Sequence, residues 1–244
     1  MAVAAVQAAT QAATQARNAP LRARAKGVPA DLVTDADAQA EHAAATVIRA
    51  ARPDDAIIGE EGTDDDGRGS RRWYLDGIDG TVAYANRHPG GWCSAVALVD
   101  DAGPLATAVE DSVGERYSAA RGEGATGNGE RLRIRTGRAL HEAHVALFLR
   151  QDRLVLPGVR ERGHRILDEA GLLRHAGPGT LELAWVAAGR LDAWIQPNTD
   201  PWDWHPGALL VTEAGGEARV VEGETRWHVA GPSSLVDALV ELLT

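Results

Sequence analysis

The 244-residue sequence predicts a layered α/β or α+β protein. Three observations carry that expectation. Segments with helical spacing and short runs of strand formers interleave along the chain, without the strict strand–helix–strand rhythm of a doubly wound parallel sheet. Hydrophobic residues make up 44% of the chain, enough for one large domain or two smaller ones sharing a core. No apolar run approaches the length of a membrane span, and there is no internal repeat or low-complexity segment beyond the N-terminal alanines.

Residues 2–17 are rich in alanine and lack the basic start and leucine-rich centre of a signal peptide, so they predict a helix and a cytoplasmic setting. Residues 22–30, with Pro20 and Pro29 around them, read as a loop. Thr34 is placed to cap a helix running to about Ala51, with Val47 and Ile48 on one face and Pro53 ending it. AIIGEE, residues 56–61, is a short strand ending in acid, followed by a polar, glycine-rich surface loop expected to be mobile. WYLD (73–76) is a strand leading into a turn from Asp76 to Thr81. SAVALVD (94–100), PLATAVED (104–111) and ERYSAARG (115–122) are further strands, and the Gly127-Asn128-Gly129 turn precedes the alternating ERLRIR. A change of composition near Arg138 suggests two halves, 1–137 and 138–244. In the second half HVALFLR and LDAWIQ read as strands. GVRERGHRILDEAG, LELAWVAAG, WDWHPGALLVTEAGG and SSLVDALVELL read as helices.

With a formal net charge of −10, the sequence shows no evident basic footprint of the kind that binds a nucleic-acid polymer without regard to sequence. An acidic chain that handles an anionic ligand needs local positive charge from a metal ion or a helix N-terminus. Cys93 is the single cysteine, so an internal disulfide and a cysteine metal cage are both excluded.

The acids Glu60, Asp76, Asp79 and Asp203 each follow apolar residues, where a carboxylate is costly unless paired or metal-bound. Hard divalent cations such as Mg²⁺ take oxygen ligands of this kind and share them with phosphates. Asp76 and Asp79, three apart, can face one point, and the Ile78 carbonyl between them can join them. One such acid alone would be read as a helix cap or strand end. The whole set, with Gly80-Thr81 attached, points to a metal site. Three other patterns are weaker. Gly77 interrupts the D-x-D-G-T-V order, with Asp76 one step too early for a covalent aspartyl phosphate. Gly122 to Gly127 matches G-x-G-x-x-G, but no apolar helix follows, and Asn128-Gly129 favours a hairpin. His205, beside Asp203, reads as a structural group rather than a ligand.

Gly59-Glu60-Glu61, W-x-x-D-x-I-D-G-T from Trp73 to Thr81, and W-D-x-x-x-G-x-x-x-x-x-E-A-G-G from Trp202 to Gly216 together resemble the inositol monophosphatase family. DLVTDAD (31–37), Gly114 to Glu130 and LELAWVAAGRLDAW extend the resemblance in one order from about Lys26 to the C-terminus. It implies an αβαβα sandwich like that of fructose-1,6-bisphosphatase. It also implies a Mg²⁺-dependent, lithium-sensitive phosphomonoesterase with two or three ions per site, commonly a homodimer. Glu60, Asp76, Asp79, Asp203 and the Ile78 carbonyl would hold the metals. Gly80 and Thr81 would open a helix whose N-terminus receives the phosphate. Thr81 would touch the nucleophilic water, Asp37 would orient Thr81, and Glu60 would help to deprotonate that water.

Lys26, the only lysine, lies where the family often has one near the metal site, where a compact ammonium suits a substrate phosphate or a carboxylate cluster; a solvated loop lysine is the competing reading. Gln196 falls where inositol-specific members carry a glutamate that touches the ring. Gly77 replaces a usual proline, which would loosen the turn. Ala83 replaces an asparagine, and Pro178 stands at a usual hydroxyl position. These departures bear on the substrate rather than the reaction class. They leave a small inositol, sugar, histidinol or nucleoside phosphate in view, with no membrane or nucleic-acid partner. The alternative is a non-catalytic metal- or phosphate-binding regulator of the same fold.

Overall fold

The computed structural model describes residues 1–26 and 28–244. Helix α1 (Ala2–Ala16) buries Ala5, Val6, Ala9 and Ala13. It packs on α2 (Asp35–Ala51), which buries Ala36, Ala40, Ala44, Ala45 and Ile48. Alanines on both faces let the two helices approach closely. The Thr34 hydroxyl accepts the Ala36 amide at 3.2 Å, and Asp37 at the third helical position accepts the Thr34 amide at 2.9 Å. This is the reciprocal cap expected at that threonine.

Between these helices lies a difference from expectation. Residues 22–30 contain most of a two-stranded antiparallel hairpin, β1 (Ala23–Lys26) and β2 (Val28–Thr34), rather than a loop. β1 is largely exposed, so no buried alternation betrays it in the sequence.

A seven-stranded sheet follows in strictly sequential order. It comprises β3 (Ala56–Gly59), β4 (Arg72–Asp79), β5 (Cys93–Asp100), β6 (Gly103–Asp111), β7 (Arg116–Ala120), β8 (Gly124–Gly127) and β9 (Glu130–Arg131). Only the β3–β4 pair is parallel. Helix α3 (Thr81–Ala85) interrupts the run after β4. β4 continues through Asp79 instead of ending at Asp76, with a register shift against β5 between the two aspartates. The loop after β3 is tied down along its length: Asp65 pairs with Ile57, and the Arg68 and Gly69 amides bond to Asp54. The G-x-G-x-x-G segment, Gly122 to Gly127, forms the turn into β8 and β8 itself. Asn128 and Gly129 both have positive φ, as a tight hairpin turn requires. ERLRIR is strand only at Glu130–Arg131.

The second sheet has the order β11-β10-β12-β14-β13. Along the chain come β10 (His144–Leu147), α4 (Val159–Glu169), β11 (Leu172–Arg174), α5 (Gly179–Ala187), β12 (Ala193–Pro197), α6 (Pro201–Glu213), β13 (Glu217–Val221), β14 (Trp227–Gly231) and α7 (Ser233–Glu241).

Three apolar clusters define five layers. In the first, α1 and α2 cover Ile57, Trp73, Leu75, Val96 and Leu98 on one face of the seven-stranded sheet. In the second, α5 and α6 lie between the sheets, against Cys93, Ala95 and Val109 on one side and Ala146, Trp194 and Ala230 on the other. In the third, α4 and α7 close the outer face of the five-stranded sheet over Val145, Ile195 and Val229. The alternation along β5, with Cys93 and Ala95 facing one way and Val96 and Leu98 the other, follows the two-residue period of a strand buried on both faces. The result is the αβαβα sandwich. Among the described residues, no helix is long and apolar enough to cross a membrane.

Gly77 tightens this arrangement rather than loosening it. A Cβ there would sit 2.6 Å from the Asp37 carbonyl oxygen and 2.9 Å from Ala40 Cβ. The missing side chain is what lets β4 lie under α2. Gly77→Ala is expected to cost ~1–3 kcal/mol in a denaturant titration; an unchanged midpoint would contradict the close approach.

Candidate metal centre

The ends of β4, α5 and α6 meet at one point. β4 delivers Asp76 and Asp79. The first turn of α6 delivers Asp203, which is favoured there by the helix's free N–H groups. One carboxylate oxygen from each of the three lies within 4.8 Å of the others. Asp76 is buried; Asp79 and Asp203 are partly exposed at the mouth. α5 braces both of the latter from its N-terminus: the Thr180 amide donates to Asp79 Oδ2 at 2.8 Å and its hydroxyl to the Asp203 carbonyl at 3.2 Å. Asp76 Oδ1 accepts the Ile78 amide at 2.9 Å.

Like charges at this spacing repel by roughly 3 kcal/mol per pair at an effective dielectric near 20. Burial first, and then Glu60, Asp79 and Asp203, push the Asp76 carboxyl well above its usual range. Burial first, and then Asp79 and Glu60, do the same to Asp203. Burial raises Asp79 less, opposed by the Thr180 hydrogen bonds and by the Arg150 guanidinium. Such a cluster fits a hard divalent cation. Its donors are all oxygen, it is concentrated in negative charge, and an ion would replace the protons it otherwise retains.

Glu60 lies just past β3, outside the three-carboxylate cluster but near enough to raise Asp76 and Asp203. Burial raises Glu60 itself to about 7 despite the opposing attraction of Lys26. The Lys26 ammonium sits 3.0 Å from Glu60 Oε1 and 2.7 Å from Glu61 Oε1. Burial alone would lower the Lys26 pKa, but the two glutamates outweigh it and hold the ammonium charged.

Thr81 opens α3, and its hydroxyl oxygen is 2.7 Å from Asp37 Oδ1 and 3.0 Å from the Ile78 carbonyl. One proton cannot serve both acceptors fully, and the charged, closer Asp37 takes it. The Thr81 lone pairs and the Ile78 carbonyl are thereby left to accept from or bind something else. Asp37 is fixed in turn by the Thr34 amide and hydroxyl at 2.9 and 2.6 Å. Burial raises the Asp37 pKa against these bonds. Gly80 precedes Thr81 with φ +93°, and a Cβ there would strike the Gly91 carbonyl at 2.4 Å, so the turn requires glycine. α3 is only five residues long, so any anion held at its start relies on the local Thr81–Ala83 amides rather than on a long helix dipole.

Gln196 on β12 flanks the N-terminus of α5. Its buried Oε1 has no hydrogen-bond partner and would lie 3.4 Å from a Cβ on Gly179. Pro178 caps α5 and faces Gly80. His205 packs on the Tyr74 ring, 5.0 Å between centroids, with Nδ1 unpartnered.

Sequence reasoning missed three charged groups here. Arg150, read as the end of a strand, binds Asp31 at 2.6 Å and leans on Asp79. Glu182 is fully buried and accepts from Arg174 at 2.8 Å and from the Gly177 amide at 3.1 Å. Glu41 is fully buried one helical turn after Asp37. For the two glutamates a signal existed, an acid on the apolar face of a helix.

A model of the inositol monophosphatase family matches residues 1–241. An inositol-1-monophosphatase of Rhizobium meliloti (strain 1021) is 33% identical over 231 residues, 88% of this chain and 84% of that protein. The Nus factor SuhB of Escherichia coli (strain K12) is 32% identical over 208 residues, 82% of this chain and 76% of that protein. The crystal structure of the extragenic suppressor protein suhB from Bartonella henselae superposes with a TM-score of 0.89 at 28% identity, covering 99% of this chain and 96% of that one. The inositol monophosphatase of Anabaena (Nostoc) sp. PCC 7120 gives 0.85 at 26%, covering 99% and 93%. The chain belongs to the inositol monophosphatase family.

The raised carboxylates set a pH dependence. A carboxyl whose folded pKa is raised stabilises the folded, metal-free chain below its unfolded value and loses that contribution as pH climbs through the folded value. For Glu60 the window runs from 4.5 to about 7. Magnesium replaces those protons, so its stabilising effect grows with pH. The Mg²⁺-induced rise in Tm is expected to be larger at pH 8 than at pH 5.5, and an equal or smaller rise would contradict the assignment. Asp79→Asn should abolish the Mg²⁺ effect. It should also raise the metal-free Tm by ~2–4 °C, the shift that about 1 kcal/mol of relieved repulsion gives a chain of this size.

Proposed function

We propose that the protein is a Mg²⁺-dependent phosphomonoesterase. The observation that carries this reading is the meeting of Asp76, Asp79 and Asp203 within 4.8 Å, beside a Thr81 hydroxyl held at 2.7 Å by Asp37. Asp76, Asp79, Asp203, the Ile78 carbonyl and Glu60 would hold the ions. Bound Mg²⁺ supplies charge neutralisation at the phosphoryl oxygens and makes a water acidic enough to attack at neutral pH.

The rest falls to the chain's own groups. Asp37 accepts the hydrogen bond of the Thr81 hydroxyl, so the Thr81 oxygen presents its lone pairs to accept a hydrogen bond from the attacking water and aim it. Asp37 acts only through Thr81, as a positioning group. Glu60, beside the carboxylate cluster, would accept the attacking water's proton, the role the family resemblance gives it. The amides at the start of α3, approached closely because Gly80 has no side chain, receive phosphate oxygens. Lys26 keeps the Glu60–Glu61 segment folded toward the site.

The substrate is a small phosphate monoester. The likeness to an inositol-1-monophosphatase supports inositol phosphate. Gln196, standing where inositol-specific members carry glutamate, favours another alcohol, such as a sugar, histidinol or nucleoside. A homodimer is expected on the family pattern. A second reading, a non-catalytic regulator of the same fold, draws support from the relatives named Nus factor.

Phosphate release from a panel of inositol, sugar, nucleoside and histidinol phosphates with Mg²⁺ separates the two. Turnover of at least one ester is expected, and none on any would favour the regulator. Thr81→Val should lower kcat on the order of 100-fold, while the Mg²⁺-induced Tm shift persists. Wild-type turnover in that variant would remove Thr81 from the mechanism.

A further inference from the structure

Glu41 is fully buried in the alanine face of α2 and is neither a proposed metal ligand nor a partner of Thr81. A carboxylate there is costly unless it does something that an apolar residue cannot. It lies four residues after Asp37, on the same side of the helix. Its Oε1 accepts the Glu61 amide at 2.7 Å. Its Oε2 occupies the space that a side chain at position 59 would need, since a Cβ on Gly59 would lie 2.4 Å from it. Thr63 closes the far side of that space, 3.2 Å from the same point.

The Glu61 amide belongs to the peptide plane that follows the Glu60 Cα. The plane before it is held by the Glu60 amide, which donates to the Leu75 carbonyl of β4 at 3.1 Å. Glu60 is thus gripped on both sides, by the sheet through one plane and by Glu41 through the other. With both planes held, the direction of the Glu60 Cα–Cβ bond is set. The Gly-Glu-Glu sequence then has three separate tasks. Gly59 makes room for the Glu41 carboxylate, Glu60 faces the cluster, and Glu61 lends its amide to Glu41 and its side chain to Lys26.

We propose that Glu41 is a positioning residue of the metal centre, which fixes the peptide between Glu60 and Glu61 and so aims the Glu60 carboxylate at the ion site. The proposal rests on the metal-centre reading above. α2 then serves the site twice in successive turns, through Asp37 to Thr81 and through Glu41 to Glu60.

The test compares Glu41→Leu, which removes the acceptor at similar volume, with Glu41→Gln, which keeps one acceptor oxygen. Mg²⁺ binding is read by isothermal titration and by the Mg²⁺-induced Tm shift, so turnover is not needed. Glu41→Leu is expected to weaken Mg²⁺ binding at least tenfold, with Glu41→Gln recovering most of it. A purely structural role would lower the metal-free Tm and leave Mg²⁺ affinity alone. Wild-type affinity in a folded Glu41→Leu variant therefore overturns the positioning role while leaving the metal centre standing. A wild-type protein that binds no Mg²⁺ overturns both. Should the leucine variant not fold, Gly59→Ala displaces the Glu41 carboxylate without removing it. The same tenfold loss is expected there, and unchanged affinity overturns the proposal.

Discussion

Crowded negative charge is the constraint on which the rest of the structure depends. Asp76, Asp79 and Asp203 come from sequence positions up to 127 apart and are forced within 4.8 Å. That arrangement destabilises the chain on its own, and the surrounding fold reads as the means of holding it. Thr180 braces two of the three from α5, the Ile78 amide holds the third, and Gly77 lets α2 close over the strand that carries two of them. A divalent cation converts the same repulsion into binding energy.

The five-layer architecture explains how chain ends so far apart converge. β4 reaches the site from the seven-stranded sheet and α6 from the central helical layer packed on it, while the capped N-terminus of α2 presents Asp37 from the outer layer. The site therefore lies where the seven-stranded sheet, the inner helices and the outer helices all meet. Glycine at positions 59, 77 and 80 is the common device. At 59 and 77 a side chain would strike α2, the helix serving the site, and at 80 it would strike the Gly91 carbonyl and crowd Pro178 at the start of α5.

Much of this was legible in the sequence, for identifiable reasons. Acids that follow apolar strand residues stand out because water would not otherwise tolerate them there, so Asp76, Asp79 and Asp203 were readable as a group. The Thr34 cap and the alanine-rich helices follow from local chemistry. The β1–β2 hairpin was not readable, because exposed strands paired only with each other leave no buried stripe. β14 was missed because all five of its residues are buried and show no alternation, and β8 because half of its residues are glycine. Gly77 was misread as slack since only the packing of α2 reveals what a Cβ would meet. Arg150 acts across a tertiary contact 119 residues long, which periodicity cannot show; Glu41 was marked as an acid on an apolar helix face, but its partner 20 residues on was not.

The most direct test of the central claim is a crystal soaked in Mn²⁺ as an anomalous stand-in for Mg²⁺. The account predicts an anomalous peak bonded to carboxylate oxygens of Asp76, Asp79 and Asp203, at about 2.0–2.2 Å for a hard cation. A saturated soak with no peak at that cluster, or a peak ligated elsewhere, would contradict it.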